Sequence, residues 1–220
     1  MRILVISAHP DDEVLGPGGS ILARAAAGDD VTILLACCGT NLRYGREEAD
    51  RLRATSEKVA GLLGARRVMF GDLPDQGLDT MTLTDVARRI EQTIAEVDPA
   101  TIWTHHWGDI NRDHRVLSEA VMVAARPYAA PGVKSIACFE TPSSTEWGPP
   151  AGLQPFHPQR FTDISAMLDR KLDAFAQYTT EVRPWPHPRS PEALQARARY
   201  WGSVSGLEAA EAFAIVRETC

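Results

Sequence analysis

Five short apolar runs, spaced by stretches of helical character, constrain this chain more than any other feature. They are residues 2–8 (RILVISA), 31–38 (VTILLACC), 67–70, 101–104 (TIWT) and 134–139. The longer runs are almost continuously apolar instead of alternating, which is the pattern of strands buried on both faces. Between them, helices are predicted over about 18–27, 46–63, 83–97 and 114–125. Their stops are Gly28-Asp29-Asp30, Gly64, Asp98-Pro99 and Arg126-Pro127. Strands alternating with helices imply right-handed β-α-β units, so the fold class is α/β, a mostly parallel sheet flanked by helices. In such sheets ligands bind beyond the carboxyl ends of the strands. Polar residues that follow strands are therefore the ones to read: His9 after the first run, and His105, Asp109 and His114 after the fourth.

The character changes after about residue 140. Pro142, Pro149, Pro150, Pro155 and Pro158 mark an irregular segment too long for a simple connection, which suits a lid or an interface. Helices are predicted at about 163–178, 191–202 and 207–217, with 184–191 (PWPHPRSP) as an irregular bridge. We read 1–220 as a single domain, with a core over about 1–140 and a C-terminal extension over about 141–220. No internal repeat or low-complexity tract interrupts it.

A chain of 220 residues, 44% hydrophobic and 24% charged, needs neither disulfides nor a structural metal to hold a core. A metal, if bound, would serve chemistry. The net charge of −6 argues against a nucleic-acid partner, which calls for a basic face. Of four cysteines, Cys37, Cys38 and Cys138 lie in apolar runs and read as buried thiols, with Cys220 terminal; that usage fits a reducing cytoplasm. Residues 2–8 read as a strand and not a signal peptide, and no stretch reaches the ~18 apolar residues of a membrane span.

The first chemical cluster is Ala8-His9-Pro10-Asp11-Asp12-Glu13. Three carboxylates and a histidine crowd the exit of a buried strand, where charge is costly unless compensated. A divalent cation is the natural compensation, and imidazole with carboxylate suits zinc or, less selectively, Fe(2+) or Mn(2+). His9 and Asp12, three apart on a turn, can face one ion. Asp11 between them points elsewhere and is available for proton transfer, and Glu13 can support the cluster from behind. An acidic helix cap with a surface histidine is the alternative. Gly16-Pro17-Gly18-Gly19 matches neither a dinucleotide fingerprint nor a P-loop.

The second cluster, 105–115 (HHWGDINRDHR), leaves the fourth strand. A catalytic zinc takes three protein ligands and keeps one position open. His114 is the best third ligand, and Asp113 beside it can orient a neighbouring ligand or base. His105 and His106 read first as a packed strand end, with direct ligation second. Asp109 and Asn111 are either a polar turn or substrate contacts.

Ala8-His9-Pro10-Asp11-Asp12-Glu13-x-Leu15-Gly16-x-Gly18-Gly19, joined to Asp113-His114-Arg115, resembles the PIG-L/LmbE-like family of zinc-dependent N-deacetylases. Weaker similarity continues through Asp163, Lys171, Tyr178 and 210–213. The resemblance implies a Rossmann-like sheet, zinc on His9, Asp12 and His114, and Asp11 as general base. It implies N-acetylated amino sugars or their conjugates as substrates. One position departs: where many members carry histidine, three residues before the last ligand, this chain has Asn111. Asn can donate a hydrogen bond to an oxyanion but cannot shuttle a proton. The acid role then falls to Asp11 alone, to His105 or His106, or to another histidine such as His157.

The expected activity is hydrolysis of an N-acetyl group by water activated at zinc, with Asp11 as base. Asn111 and Asp113 assist, while Arg53, His105 and Asp109 contact substrate. Arg53 sits on a helix face that could instead be simply solvated. Trp147, Trp185 and His187 could stack on a sugar or pack an interface. The competing readings are a zinc amidase acting on another N-acyl small molecule and a non-catalytic Rossmann-like binding module. The aromatic C-terminal segments would suit a homo-oligomer contact.

Overall fold

The computed structural model describes residues 1–38, 45–148 and 155–219. Five strands run parallel: β1 (Arg2–Ser7), β2 (Asp30–Leu35), β3 (Arg67–Phe70), β4 (Thr101–His105) and β5 (Ser135–Phe139). Helices connect them: α1 (Asp12–Leu15) and α2 (Gly18–Ala26), then α3 (Arg46–Leu62), α4 (Leu83–Val97) and α5 (Arg112–Ala124). The C-terminal part adds β6 (Arg160–Asp163), α6 (Leu168–Phe175), α7 (Pro191–Ser205) and β7 (Ala210–Glu218). The seven strands form one sheet in the order β3-β2-β1-β4-β5-β7-β6. The expected α/β class with a mostly parallel sheet is what the chain adopts.

Strand pleating explains the two cores. On β1, Leu4 and Ile6 face α4 and α5, where they pack with Val86, Ile90, Leu117 and Val121. Ile3 and Val5 face the other way, into Ile21, Leu22, Val59, Leu63 and Phe175. Both faces of the central strands are covered, which is why their sequences are continuously apolar. β1 has β2 on one side and β4 on the other, so the chain reverses its direction of winding there. The crevice beyond the carboxyl ends of β1 and β4 is the switch point of the sheet.

The predicted helix at 207–217 is instead β7. It pairs antiparallel with β5, Phe139 opposite Phe213, and with β6. The Ala- and Glu-rich composition favours a helix locally, but β5 would otherwise present an open edge of unpaired backbone groups, and that tertiary demand wins. β6 arises inside a segment expected to be irregular or to begin a helix, and α6 occupies only part of the helix predicted over 163–178. The predictions on Pro149, Pro150 and Cys220 fall outside the described residues. Cys37, Cys38 and Cys138 are free, buried thiols as expected.

The C-terminal part is fastened to the His9–Gly19 segment by a buried ion pair. Lys171 Nζ on α6 lies 2.6 Å from Glu211 Oε1 on β7. The same ammonium donates to the carbonyls of Leu15 (3.1 Å) and Gly16 (3.0 Å) at the end of α1. Glu211 accepts from the Gly19 and Ser20 amides (2.8 and 2.7 Å), the unsatisfied donors at the start of α2. Gly16 is required by close packing, since a Cβ there would meet the Phe139 ring at 2.4 Å. Replacing Lys171 by Met strands a buried carboxylate. Chemical denaturation should then show a loss of about 3–5 kcal/mol; unchanged stability would mean the pair fastens nothing.

Candidate metal centre and active site

Two imidazoles and a carboxylate converge at the switch point. His9 follows β1, Asp12 opens α1, and His114 lies in the first turn of α5. His9 Nδ1 is 3.3 Å from Asp12 Oδ2 and 3.3 Å from His114 Nε2, and His114 Nε2 is 3.2 Å from Asp12 Oδ2. The outer nitrogens face carboxylates. His9 Nε2 lies 3.1 Å from both Asp113 Oδ2 and Asp75 Oδ1, and His114 Nδ1 lies 3.1 Å from Asp109 Oδ2. A carboxylate behind each ring holds the N–H on that side and turns the inner lone pair toward the common point. The His9 amide donates to Asp12 Oδ2 (2.8 Å) and fixes that oxygen.

The triangle tests the fit of a metal. A tetrahedral zinc with bonds of 2.0–2.1 Å needs neighbouring ligand atoms about 3.3–3.4 Å apart, and the three edges measure 3.2 and 3.3 Å. Electrostatics agree. Burial opposes charge on both rings, yet Asp12 and Asp109 raise the His114 pKa to about 9, and Asp113, Asp12 and Asp75 raise that of His9. Burial likewise disfavours an ionised Asp12, but the His114 charge and the hydrogen bonds of His114 and His9 help to outweigh it and hold that carboxyl well below its usual range. The cluster demands positive charge, which a divalent cation supplies without protonating the inner nitrogens. A second group, His9 with Cys37 and Asp113, also gathers ligand atoms. There Asp113 is already engaged by the Gln76 and Leu78 amides (2.6 and 3.1 Å).

Asp11 stands next to the triangle with its backbone at φ 108°, a conformation uncommon for a side chain other than glycine. The Asp11 amide donates to Glu13 Oε2 (3.0 Å), and the Tyr178 hydroxyl donates to Glu13 Oε1 (2.6 Å). Burial pushes Glu13 up to about 7. Burial also raises Asp11 well above the ordinary carboxylate range; the Arg189 charge opposes the shift, and Asp12, Glu181 and Glu13 add to it. Asp11, His9 and His114 line a pocket of about 100 Å³, together with Cys37, Cys38, Asp75, Gln76, Asn111, Ser143, Glu181 and Arg189.

His105, Asp109 and Arg53, expected to contact substrate, are engaged by protein groups. His105 is fully buried. The Ala8 amide donates to its Nε2 (2.8 Å), so the ring proton sits on Nδ1, facing Thr141 Oγ1 at 3.0 Å. The ring stacks on His114 with centroids 3.8 Å apart. Burial, helped by the His114 charge, lowers its pKa to about 3, so the ring is neutral and packs against its neighbour without a second proton to give. Asp109 is also fully buried and binds Thr145 Oγ1 (2.7 Å), Ser144 Oγ and the Asn111 amide (2.8 Å) as well as His114. Arg53 pairs with Asp72 and the Cys38 carbonyl, stacked over Phe70, outside the pocket lining.

Asn111 does line the pocket, with its Oδ1 committed to capping α5 through the Asp113 amide (2.9 Å). Asp113 is buried behind His9, so its contact is with the ring and not with the pocket. His106 is buried and burial lowers its pKa to about 4. His157 is exposed. Trp147 and His187 meet edge to face at 6.3 Å, and neither they nor Trp185 belong to the pocket lining. The sequence reading missed Asp75, Gln76, Ser143, Glu181 and Arg189. The strand-exit rule, applied to β3, would have reached Asp75; no local pattern marks Arg189.

The family described as PIG-L, GlcNAc-PI de-N-acetylase, matches residues 4–125. That is more than half of the chain, and the chain belongs to this family. A diacetylchitobiose deacetylase of Thermococcus kodakarensis is 25% identical, with 98% of this chain and 83% of that protein covered. The crystal structure of the conserved protein TT1542 of Thermus thermophilus superposes with a TM-score of 0.78 at 24% identity, covering 99% of this chain and 96% of that one. GalB, the 4-carboxy-2-hydroxymuconate hydratase of Pseudomonas putida KT2440, reaches a TM-score of 0.73 at 22% identity over 100% of this chain and 97% of its own. A hydratase on the same scaffold means that fold alone does not select the reaction. No helix among the described residues is long and apolar enough to cross a membrane.

Proposed function

We propose that the chain is a metal-dependent N-deacetylase that removes the acetyl group from an N-acetylated amino sugar or its conjugate. The observation carrying this reading is the His9–Asp12–His114 triangle with a spare carboxylate, Asp11, on the pocket side. A family description and a curated relative that both concern N-acetylglucosamine or chitobiose deacetylation support the substrate class.

His9, Asp12 and His114 would hold zinc, with Fe(2+) or Mn(2+) compatible with the same donors. A bound divalent cation would lower the pKa of water and polarise the acyl carbonyl. Asp11 accepts the proton of the attacking water and returns it to the departing amine nitrogen, serving as base and then acid. A raised carboxyl pKa suits both halves of that task. His105 and Asp113 with Asp109 keep the two ligand rings aimed, and Glu13 with Tyr178 holds the Asp11 backbone. The Asn111 side chain is the neutral group at the pocket wall. A binding module without chemistry has no use for a buried carboxylate in a strained backbone beside the ligand cluster.

The test is acetate release from N-acetylglucosamine and N,N′-diacetylchitobiose by protein reconstituted with zinc, compared with acyl amino acids. Activity on the sugars should vanish with a chelator and return with zinc. Turnover of the acyl amino acids alone would replace this reading by the amidase alternative, and chelator-resistant turnover would remove the metal from it.

A further inference from the structure

Three consecutive carboxylates, Asp11, Asp12 and Glu13, are each at most 2% exposed, and each has a different compensation. Asp12 faces the two imidazoles. Glu13 accepts from Tyr178 and from the Asp11 amide. Asp11 meets a guanidinium that arrives from 178 positions later in the chain: Arg189 Nη1 lies 2.9 Å from Asp11 Oδ2. We infer that Arg189 is a positioning residue for the reaction, holding the Asp11 carboxylate in the one orientation from which it can serve the pocket. This inference rests on the reading of Asp11 as the base.

The setting of Arg189 is that of a fixed post and not of a surface side chain. Its Nε donates to Ser143 Oγ (2.7 Å), which lines the same pocket. Its Nη1 also pairs with Glu181 Oε2 at 2.6 Å, so two carboxylates share the charge. The Arg189 amide donates to His187 Nδ1 (3.0 Å), and the next residue, Ser190, caps α7 by accepting from the Ala193 amide (3.0 Å). The backbone entering α7 is thereby pinned on both sides of Arg189, and a planar guanidinium with fixed donors transmits that rigidity to its partner. Asp11 gains an orientation that its own strained backbone does not impose on χ1 and χ2. The segment between α6 and α7 is therefore part of the reaction machinery, although it lies far beyond the residues that supply the cluster.

The experiment compares Arg189→Ala, Arg189→Lys and Asp11→Asn, with Arg189→Ala also assayed in guanidinium at tens of millimolar. Arg189→Ala should lose roughly 100-fold in kcat, the cost of a misplaced catalytic group, with KM within threefold of native and zinc content unchanged. Guanidinium should restore at least tenfold to Arg189→Ala and nothing to Asp11→Asn, and the lysine variant should fall between. Because the two residues act as a unit, the double variant should be no slower than Asp11→Asn. Native kcat in Arg189→Ala overturns the inference. So does a raised KM at native kcat, which would make Arg189 a substrate grip, and so does a slow Arg189→Ala that guanidinium fails to rescue, which would make the contact merely structural. An Asp11→Asn protein with native activity defeats the parent reading instead, and the two failures are thus separable.

Discussion

Asp11→Asn is expected to keep the metal and lose turnover by a factor of roughly 10²–10⁴, the contribution of a positioned general base. The substitution is well matched to the site. Asn has the same shape and tolerates positive φ, so the backbone at φ 108° gains no strain. The three inner ligand atoms belong to His9, Asp12 and His114, and the amide leaves them untouched. What changes is the proton: an amide cannot take it from water or hand it to an amine. Among the described residues no neighbour is placed to take over. Glu13 has a suitable pKa of about 7, but both of its oxygens are engaged behind Asp11. His105 receives the Ala8 amide on the nitrogen that would have to act. Asp75 and Glu181 do line the pocket, and they are occupied by His9 and Arg189. Metal analysis beside a steady-state assay checks the expectation. Turnover within threefold of native in Asp11→Asn would falsify the assignment and point to Glu181 or Asp75.

How much of this was legible in the chain depends on range. The parallel strands follow from apolar runs and helix stops, all encoded within a few residues, whereas the strand order that creates the switch point is set by tertiary pairing. The convergence of His9 and Asp12 is readable because a buried strand ending in charge poses a local problem that only a partner can solve, and His114 joins them as the candidate third ligand. The contacts of His105 and Asp109 are not readable, since each is engaged from elsewhere in the chain: by the Ala8 amide 97 positions away for one, and by Thr145, 36 positions away, for the other. β7 runs against its local propensity, which Ala and Glu dominate, because its partner strand β5 lies more than 70 positions earlier. Arg189 sits in a proline-rich bridge with no chemical pattern around it, and only the folded chain carries it to Asp11.

Replacing His114 by Ala is expected to empty the metal site, and the reason extends beyond the loss of one ligand. His114 is the joint at which the two halves of the cluster meet. Its Nε2 faces Asp12 and His9, its Nδ1 faces Asp109, and its ring carries the stacked His105. Weakening a group that merely supports a ligand lowers metal affinity about 10–100-fold. Removing the ligand leaves His9 and Asp12 as a pair that cannot close a three-ligand site, so the loss should exceed that range. The protein should still fold. Asp109 keeps Ser144, Thr145 and the Asn111 amide, and His105 keeps Ala8 and Thr141. Dialysis against a weak chelator should then strip zinc from the variant at concentrations that leave the native protein loaded, with acetate release abolished and the denaturation midpoint of the metal-free proteins similar. A His114→Ala protein that retains stoichiometric zinc and full activity would place the third ligand elsewhere, and Asp75 or Asp113, both within 3.1 Å of His9 Nε2, would be the groups to test. Substituting His105 by Phe separates the two roles of that stack. It keeps an aromatic surface against His114 while removing the acceptor for the Ala8 amide, so metal affinity should fall far less than in His114→Ala.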